Sequence, residues 1–384
     1  MARFEAERNI VHCDLDTFFV SVERLLNSDL VGKPVLIGGS SDRGVVASCS
    51  YEARRFGVHS AMPVKLALRL CPEAILVRGD HDLYSKYSNL VTQIIEGSAP
   101  MVEKASIDEH YIDITGMDRF FGCWKWTREL RQRIIKESGL PVSFGLSTSK
   151  TVSKIATGEA KPCGEQKVDS GQEKPFLAPL KVSKIPMVGE KTAIQLGTLG
   201  ISHIHMIQQM QAFTMRRVFG QTGVMIWMKA NGMDDSPVVP FHEQKSMSKE
   251  TTFQADTIDM GILKKTLISM VDALAFDLRK DVKLTGCITL KIRYTNFDTH
   301  TMQSRIPYTN SERTITAKIM ELFAKLYSRR MLVRLIGVKF SHLISGSLQI
   351  DLFDDAIEEI NLMAAMDRIR NRFGTDAVQR AICL

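Results

Sequence analysis

Two acidic groups in this sequence could do chemistry. Asp108 and Glu109 stand side by side within Ala105–Ile114, flanked by Ile107 on one side and by Tyr111, Ile112 and Ile114 on the other. Asp14 and Asp16 form an Asp-x-Asp at the end of the apolar run that starts at Asn9. Adjacent carboxylates repel, and burying one without a partner costs roughly several kcal/mol. A divalent cation offsets that repulsion, and Mg²⁺ takes hard oxygen ligands. Carboxylates around two metals about 3.5–4 Å apart serve in-line displacement at phosphorus. Each group by itself is a weak signal, since Asp108-Glu109 alone also fits a solvated hairpin turn. If the two strands neighbour each other in one sheet, Asp14, Asp108 and Glu109 converge, and the signal becomes specific.

Elements must hold these residues in place. Strand formers flank Asp108-Glu109, so the stretch reads as two strands meeting at a turn. After Asp14-Leu15-Asp16, the segment Thr17-Phe18-Phe19-Val20-Ser21-Val22-Glu23 has helical apolar spacing, with Thr17 or Asp16 as N-cap. Residues 26–80 read as a small inserted lobe. There Tyr51 and Arg54, three apart, share a helix face beside a strand ending near Ser48. A guanidinium fork and a phenol hydroxyl suit a triphosphate, although surface charge on a short helix is the plainer reading. A helix over 82–100, an amphipathic helix from Cys123 to Ser138, a strand over 141–147 and a helix stopped by Pro162 follow. The order suggests an α+β sheet with helices on one face. Lys161, at the end of that last helix, could reach a phosphate or complement the helix dipole.

Beyond it, Lys184–Leu196 resembles half of a helix–hairpin–helix, whose helix start offers backbone N–H groups to a phosphate. Met187 stands where that motif usually has glycine. Asn231-Gly232 opens a linker that ends near Lys245. From Ser246 a βαββαβ module is expected, its open sheet face carrying Lys291 and Arg293. The tail holds Gln349-Ile350-Asp351-Leu352-Phe353, which could dock in an apolar groove or pack on its own domain. A helix from Ile357 to Phe373, ended by Gly374, comes last.

Composition narrows the classes. The chain has 384 residues, long enough for two to four domains, with 44% hydrophobic and 24% charged residues, as in an ordinary soluble protein. No apolar run reaches membrane-spanning length, and the first residues carry both signs of charge, unlike a signal peptide. The cysteines at 13, 49, 71, 123, 163, 287 and 383 show no Cys-x-x-Cys, which argues for a reducing compartment and against zinc. Of the net +7, the basic excess concentrates between Phe241 and Leu348, with 17 Lys and Arg against 10 Asp and Glu. That suits a phosphate-rich partner or simple solubility.

With these residues in hand, the chain resembles the Y-family DNA polymerases of the DNA polymerase IV type. The resemblance rests on His12–Glu23, Ser48–Arg54, Ser106-Ile107-Asp108-Glu109, Ala160-Lys161-Pro162 and Lys245–Phe253, and spans about residues 8 to 353. It implies an α+β, right-hand polymerase with a ferredoxin-like palm (1–25 and 81–172), small fingers (26–80) and a helical thumb (173–231). A linker (232–245), a ferredoxin-like little finger (246–345) and a clamp-binding peptide with helical tail (346–384) complete that scheme. The implied activity is low-fidelity, template-directed translesion synthesis that adds dNTPs to a primer 3′-hydroxyl. Asp14, Asp108 and Glu109 match the catalytic carboxylates, which with the Leu15 carbonyl hold two Mg²⁺ ions. Phe19 matches the steric gate against ribose, beside Phe18 and Thr17. Ser48, Tyr51, Arg54 and Lys161 match triphosphate contacts. Gln349, Leu352 and Phe353 look like anchors for a β sliding clamp. Primer-template DNA and dNTP are the other implied partners, to a monomer without membrane contact, in the bacterial cytoplasm and at the nucleoid during repair. Met187, His110 after the acidic pair, and the helical tail depart from the family pattern. Two other readings compete: a palm-fold cyclase, against which the basic module argues, and a non-catalytic DNA-binding scaffold, which has no need of three converged acids.

Overall fold

The structure is a computed structural model that describes residues 7–39, 43–117, 122–346 and 356–381. The chain divides into two units, one ending at His242 and one beginning at Glu243. The first opens with β1 (Ile10–Leu15) and α1 (Phe18–Leu26), then β2 (Val35–Gly38), β3 (Val46–Cys49), α2 (Tyr51–Arg54), α3 (Val64–Leu70) and β4 (Ile75–Val77). Next come α4 (His81–Glu96), β5 (Val102–Lys104), β6 (Glu109–Asp113), α5 (Cys123–Ser138), β7 (Val142–Ser147), α6 (Lys150–Ala160) and β8 (Glu165–Lys167). Helices α7 (Glu173–Leu177), α8 (Glu190–Thr198), α9 (Ile204–Gln208) and α10 (Ala212–Ala230) complete it. The expected inserted lobe is a small sheet of order β3-β2-β4 with its own apolar core around Leu36, Cys49, Ala53 and Val64.

The main sheet has the order β5-β6-β1-β7-β8, so β1 lies between β6 and β7, antiparallel to both. Strand residues alternate between faces. Val11, Cys13 and Leu15 of β1 join Phe144 and Leu146 of β7 in a core covered by α1, α4 and α5. His12 and Asp14 therefore face the other way. Helices were expected on one face only, but α6 covers this second face. Gly145 is the physical reason. A Cβ there would lie 2.3 Å from the Ser153 carbonyl oxygen and 2.6 Å from the Thr157 nitrogen, so only glycine lets α6 come this close. Helix α6 buries Val152, Ile155 and Ala156 in a core shared with α7 to α10.

The hairpin before α8 forms with Gly189 at the N-cap. Met187 adopts φ 83, the left-handed conformation that glycine favours, so its departure from the motif is met by backbone strain rather than by a different turn. The start of the linker is docked, not free. Arg8 donates to the carbonyls of Asp234 and Ser236, Val239 N donates to Glu103 at 2.7 Å, and Val238 is buried with Ile10 and Tyr111.

The second unit runs β9 (Ser246–Thr257), α11 (Met260–Lys280), β10 (Lys283–Tyr294), β11 (Thr299–Thr309), α12 (Glu312–Leu326), β12 (Val333–Ser345) and α13 (Ala356–Phe373). Its sheet, ordered β11-β10-β12-β9, is antiparallel throughout. Ile288, Leu290 and Ile292 pack against α11 and α12. The register puts Lys291, Arg293, Arg305 and Lys339 on the opposite face, as the alternation in β10 predicts, and Glu250 pairs with Lys291 at 2.8 Å. The tail helix α13 lies on α11 and α12 through a charge network. Arg279 grips Asp367 with bonds of 2.6 and 2.9 Å, Arg370 donates to Asp272 at 2.7 Å, and Arg279 and Arg380 both reach Glu312. No described helix is long and apolar enough to cross a membrane.

Candidate active site

The strand register builds the site. In the β1–β6 ladder Asp14 stands directly opposite Glu109, and His12 opposite Tyr111. Directly opposed residues share a face, so the two carboxylates meet on the α6 side of the sheet. Asp108 sits one residue before β6, in the turn, and its carbonyl accepts from Leu15 N at 3.0 Å. Ser106 shapes that turn. Its hydroxyl accepts from the backbone nitrogens of Asp108 and Glu109 at 3.3 and 3.1 Å and donates to Asp108 Oδ1 at 2.6 Å. The fold thus sets Asp14 opposite Glu109, with Asp108 in the adjoining turn.

Helix α6 supplies the cations. Lys161 Nζ pairs with Asp14, and Lys154 Nζ pairs with Glu109. Lys161 ends α6, but its ammonium is spent on a carboxylate rather than on the helix carbonyls. Burial pushes the Asp14 carboxyl up to about 6; Lys161 works against that, while Glu109 and Asp108 add to it. For Glu109 burial also works upward, yet the neighbouring His12, 3.8 Å away, and the Lys154 ammonium hold it at about 2. Burial lowers the His12 pKa, so the imidazole is neutral and the cation beside Glu109 is Lys154. His12 Nδ1 lies 2.9 Å from Thr157 Oγ1. The expected metal site is a set of hard oxygen donors whose charges act on one another, which suits Mg²⁺. Among the described residues no three His, Cys, Asp or Glu side chains are already gathered into a cage; lysine and serine partners engage the carboxylates.

A cavity of about 140 Å³ opens above these groups. Asp14, Leu15, Thr17, Phe18, Phe19 and Asp108 line it from the sheet side, Ser48 and Arg54 from the inserted lobe, and Lys161 from the end of α6. Nine residues singled out in the sequence therefore surround one space. Phe18 is also a core residue, 3% exposed. Phe19 stacks on Tyr84, ring centroids 4.3 Å apart, and His81 meets it edge-on. Tyr84 donates to Glu23 at 2.6 Å, which holds the stack in place. Tyr51 does not line the cavity. It sits beneath the Arg54 guanidinium, 5.2 Å from ring to Cζ, and donates to Asp16. Thr17 is at the N-cap position of α1 but makes no capping hydrogen bond; at φ 44 its backbone bends the chain from strand to helix. Asp16 caps nothing either, because its carboxylate is held by Tyr51, Ser143 and Cys163 N. Gln349, Leu352 and Phe353 lie outside the described residues.

Sequence reasoning missed Lys154, Tyr84 and the contact of His12 with Thr157. Lys154 lies seven residues before Lys161, two helical turns along the same face, and that spacing was a usable signal. Nothing near Tyr84 in the sequence points to Phe19.

The chain matches the model of the impB/mucB/samB family over residues 13–158 and that of its C-terminal domain over residues 244–352. A DNA polymerase IV of Dehalococcoides mccartyi is 37% identical over 378 residues, 97% of each chain. A DNA polymerase IV of Methanoculleus marisnigri is 36% identical over 344 residues, 88% of this chain and 95% of that one. Among solved structures, a Y-family DNA polymerase chimera superposes with a TM-score of 0.77 at 26% identity, covering 88% of this chain and all of the chimera.

The raised Asp14 carboxyl makes a stability prediction. A carboxyl moved from 3.8 up to about 6 destabilises the folded protein above pH 6 and has no effect below 3.8, where it is protonated folded or unfolded. In EDTA, Asp14→Asn is expected to gain up to about 3 kcal/mol at pH 8 and nothing at pH 3.5. Urea unfolding of both proteins at both pH values measures this. A variant no more stable than its parent at pH 8 would mean that the Lys161 pair outweighs burial.

Proposed function

The chain belongs to the impB/mucB/samB family and is a Y-family translesion DNA polymerase of the DNA polymerase IV type, and on that premise we propose how its residues divide the reaction. The enzyme is a metal-dependent nucleotidyltransferase that acts on primer-template DNA and dNTPs. The observation that carries our assignment of roles is that Asp14 and Asp108 line one cavity, with Glu109 opposite Asp14 in the ladder beside it. We assign Asp14, Asp108, Glu109 and the Leu15 carbonyl to two Mg²⁺ ions. When bound, such ions polarise the α-phosphate and activate the primer 3′-hydroxyl. Ser48, Arg54, Tyr51 and Lys161 take the triphosphate, and an arginine fork suits that role. Phe19, braced by Tyr84, closes the sugar side of the cavity against a 2′-hydroxyl, with Phe18 and Thr17 completing the wall.

In this scheme the five-stranded sheet is the palm, the β3-β2-β4 lobe the fingers and α7 to α10 the thumb. The second unit is the little finger, whose basic sheet face suits a duplex backbone. Gln349, Leu352 and Phe353 serve as anchors for a β sliding clamp. The enzyme works as a monomer in the bacterial cytoplasm and joins the nucleoid during repair.

Asp108→Ala is expected to reduce primer extension to background while DNA affinity stays within about threefold, because phosphate neutralisation elsewhere carries DNA binding. Extension near the parent rate would sink the metal-ligand assignment.

Phe19→Ala is expected to admit ribonucleotides. Discrimination between dCTP and rCTP opposite template G should fall on the order of 10–200-fold, the range that a steric difference of 1–3 kcal/mol gives. Unchanged selectivity would place the gate elsewhere.

Deleting residues 349–353 is expected to leave distributive synthesis intact and remove stimulation by the clamp. Processivity with and without clamp, together with the melting temperature, decides this. A destabilised protein that still responds to clamp would show that Leu352 and Phe353 are packing residues.

A further inference from the structure

Asp16, the second acid of Asp-x-Asp, is 1% exposed and is not among the residues lining the cavity. Its Oδ2 accepts from Ser143 Oγ at 2.7 Å and from Cys163 N at 2.8 Å, and its Oδ1 accepts from the Tyr51 hydroxyl at 2.9 Å. Its backbone is pinned as well, with N donating to the Pro141 carbonyl at 2.9 Å and the carbonyl accepting from Ser21 Oγ at 2.7 Å. Asp16, in the turn after β1, is thus tied to β7 and to the segments before β7 and β8. Tyr51 is the first residue of α2, in the inserted lobe. One hydrogen bond joins the two.

The donor count gives this bond its meaning. A phenol carries a single O–H proton, and phosphate oxygens bring none at neutral pH. With its proton on Asp16, Tyr51 offers a triphosphate only lone pairs, which an anion repels. Tyr51 can donate to a phosphate only after leaving Asp16. We propose that the Asp16–Tyr51 hydrogen bond is a latch between the inserted lobe and the sheet, opened by the incoming nucleotide, and that Asp16 is a positioning residue that sets ground-state nucleotide affinity. The inference rests on the reading of Tyr51 as a triphosphate contact. Releasing the phenol does not strip Asp16, because Ser143 and Cys163 N still hold its carboxylate.

The test measures dCTP Kd on the full chain bound to a primer-template whose primer ends in a dideoxynucleotide, with Mg²⁺, so that no chemistry follows binding. In the parent, one charge-assisted hydrogen bond replaces another, and Tyr51→Phe is expected to shift Kd by less than about threefold. Asp16→Asn keeps an acceptor but removes the charge, which weakens the latch; Kd is expected to fall roughly three- to tenfold. Placing Tyr51→Phe on that background should abolish the gain. If the gain persists with Phe at 51, it does not run through the phenol, and the latch falls. If Tyr51→Phe alone raises Kd tenfold, the contact stands and the latch falls. If Asp16→Asn is folded but binds no more tightly, the latch is overturned. Should Asp16→Asn prove too unstable to assay, 3-fluorotyrosine placed at 51 in the otherwise unchanged enzyme decides. A ¹⁹F resonance that moves on adding dCTP supports release of the phenol, and one that stays put overturns it.

Discussion

Carboxylate repulsion at one point of one antiparallel ladder is the constraint on which the rest of this structure depends. Asp14 and Glu109 are directly opposed, so their side chains emerge on the same face with Asp108 next to them. In an ordinary sheet, like charges in that position destabilise the pair. Here the sheet tolerates them because α6 lays two lysines along the same face, one per carboxylate. The balance is uneven: Glu109 is held well ionised, while Asp14 is pushed up to about 6 in spite of Lys161. Such a site is costly to keep without a cation, and it fits chemistry that brings positive charge to the cavity with the substrate.

Close approach of α6 makes that arrangement possible. Gly145 faces His12 across the β1–β7 ladder and removes the one Cβ that would hold the helix away. With α6 seated, His12 reaches Thr157 and Lys154 reaches Glu109. The opposite face of the same strands carries Val11, Cys13 and Leu15 into the main core. Parity thus divides β1: Val11, Cys13 and Leu15 anchor the strand, while on the other face Ile10 packs with Tyr111 and Val238, and His12 and Asp14 meet α6.

The second unit solves a different problem. Its sheet keeps one face open for basic residues, so its stability must come from the helical side. There α13 adds a third helix to α11 and α12, joined by arginines and acids from all three. Breaking one member of such a network strands its partners. The tail after residue 355 therefore belongs to the body of this unit.

Much of this was legible in the sequence because the signals are local. Short apolar runs mark β1 and β7 and period-two alternation marks β10; Gly and Pro mark the helix ends; and Asp-x-Asp with Ser-Ile-Asp-Glu names the acids. Cys123–Ser138 was read as a helix with the bounds it has. What the sequence could not decide were pairings between residues far apart in the chain. Strand order alone made Asp14 and Glu109 neighbours, and packing alone put α6 on the second face. Lys161 was legible as a helix-terminal cation but not as the partner of Asp14. Tyr84 behind Phe19 and Tyr51 on Asp16 likewise join residues tens of positions apart. Propensity and periodicity act over a few residues. Cross-strand register, a missing Cβ and the sharing of one hydroxyl proton exist only once the chain has folded.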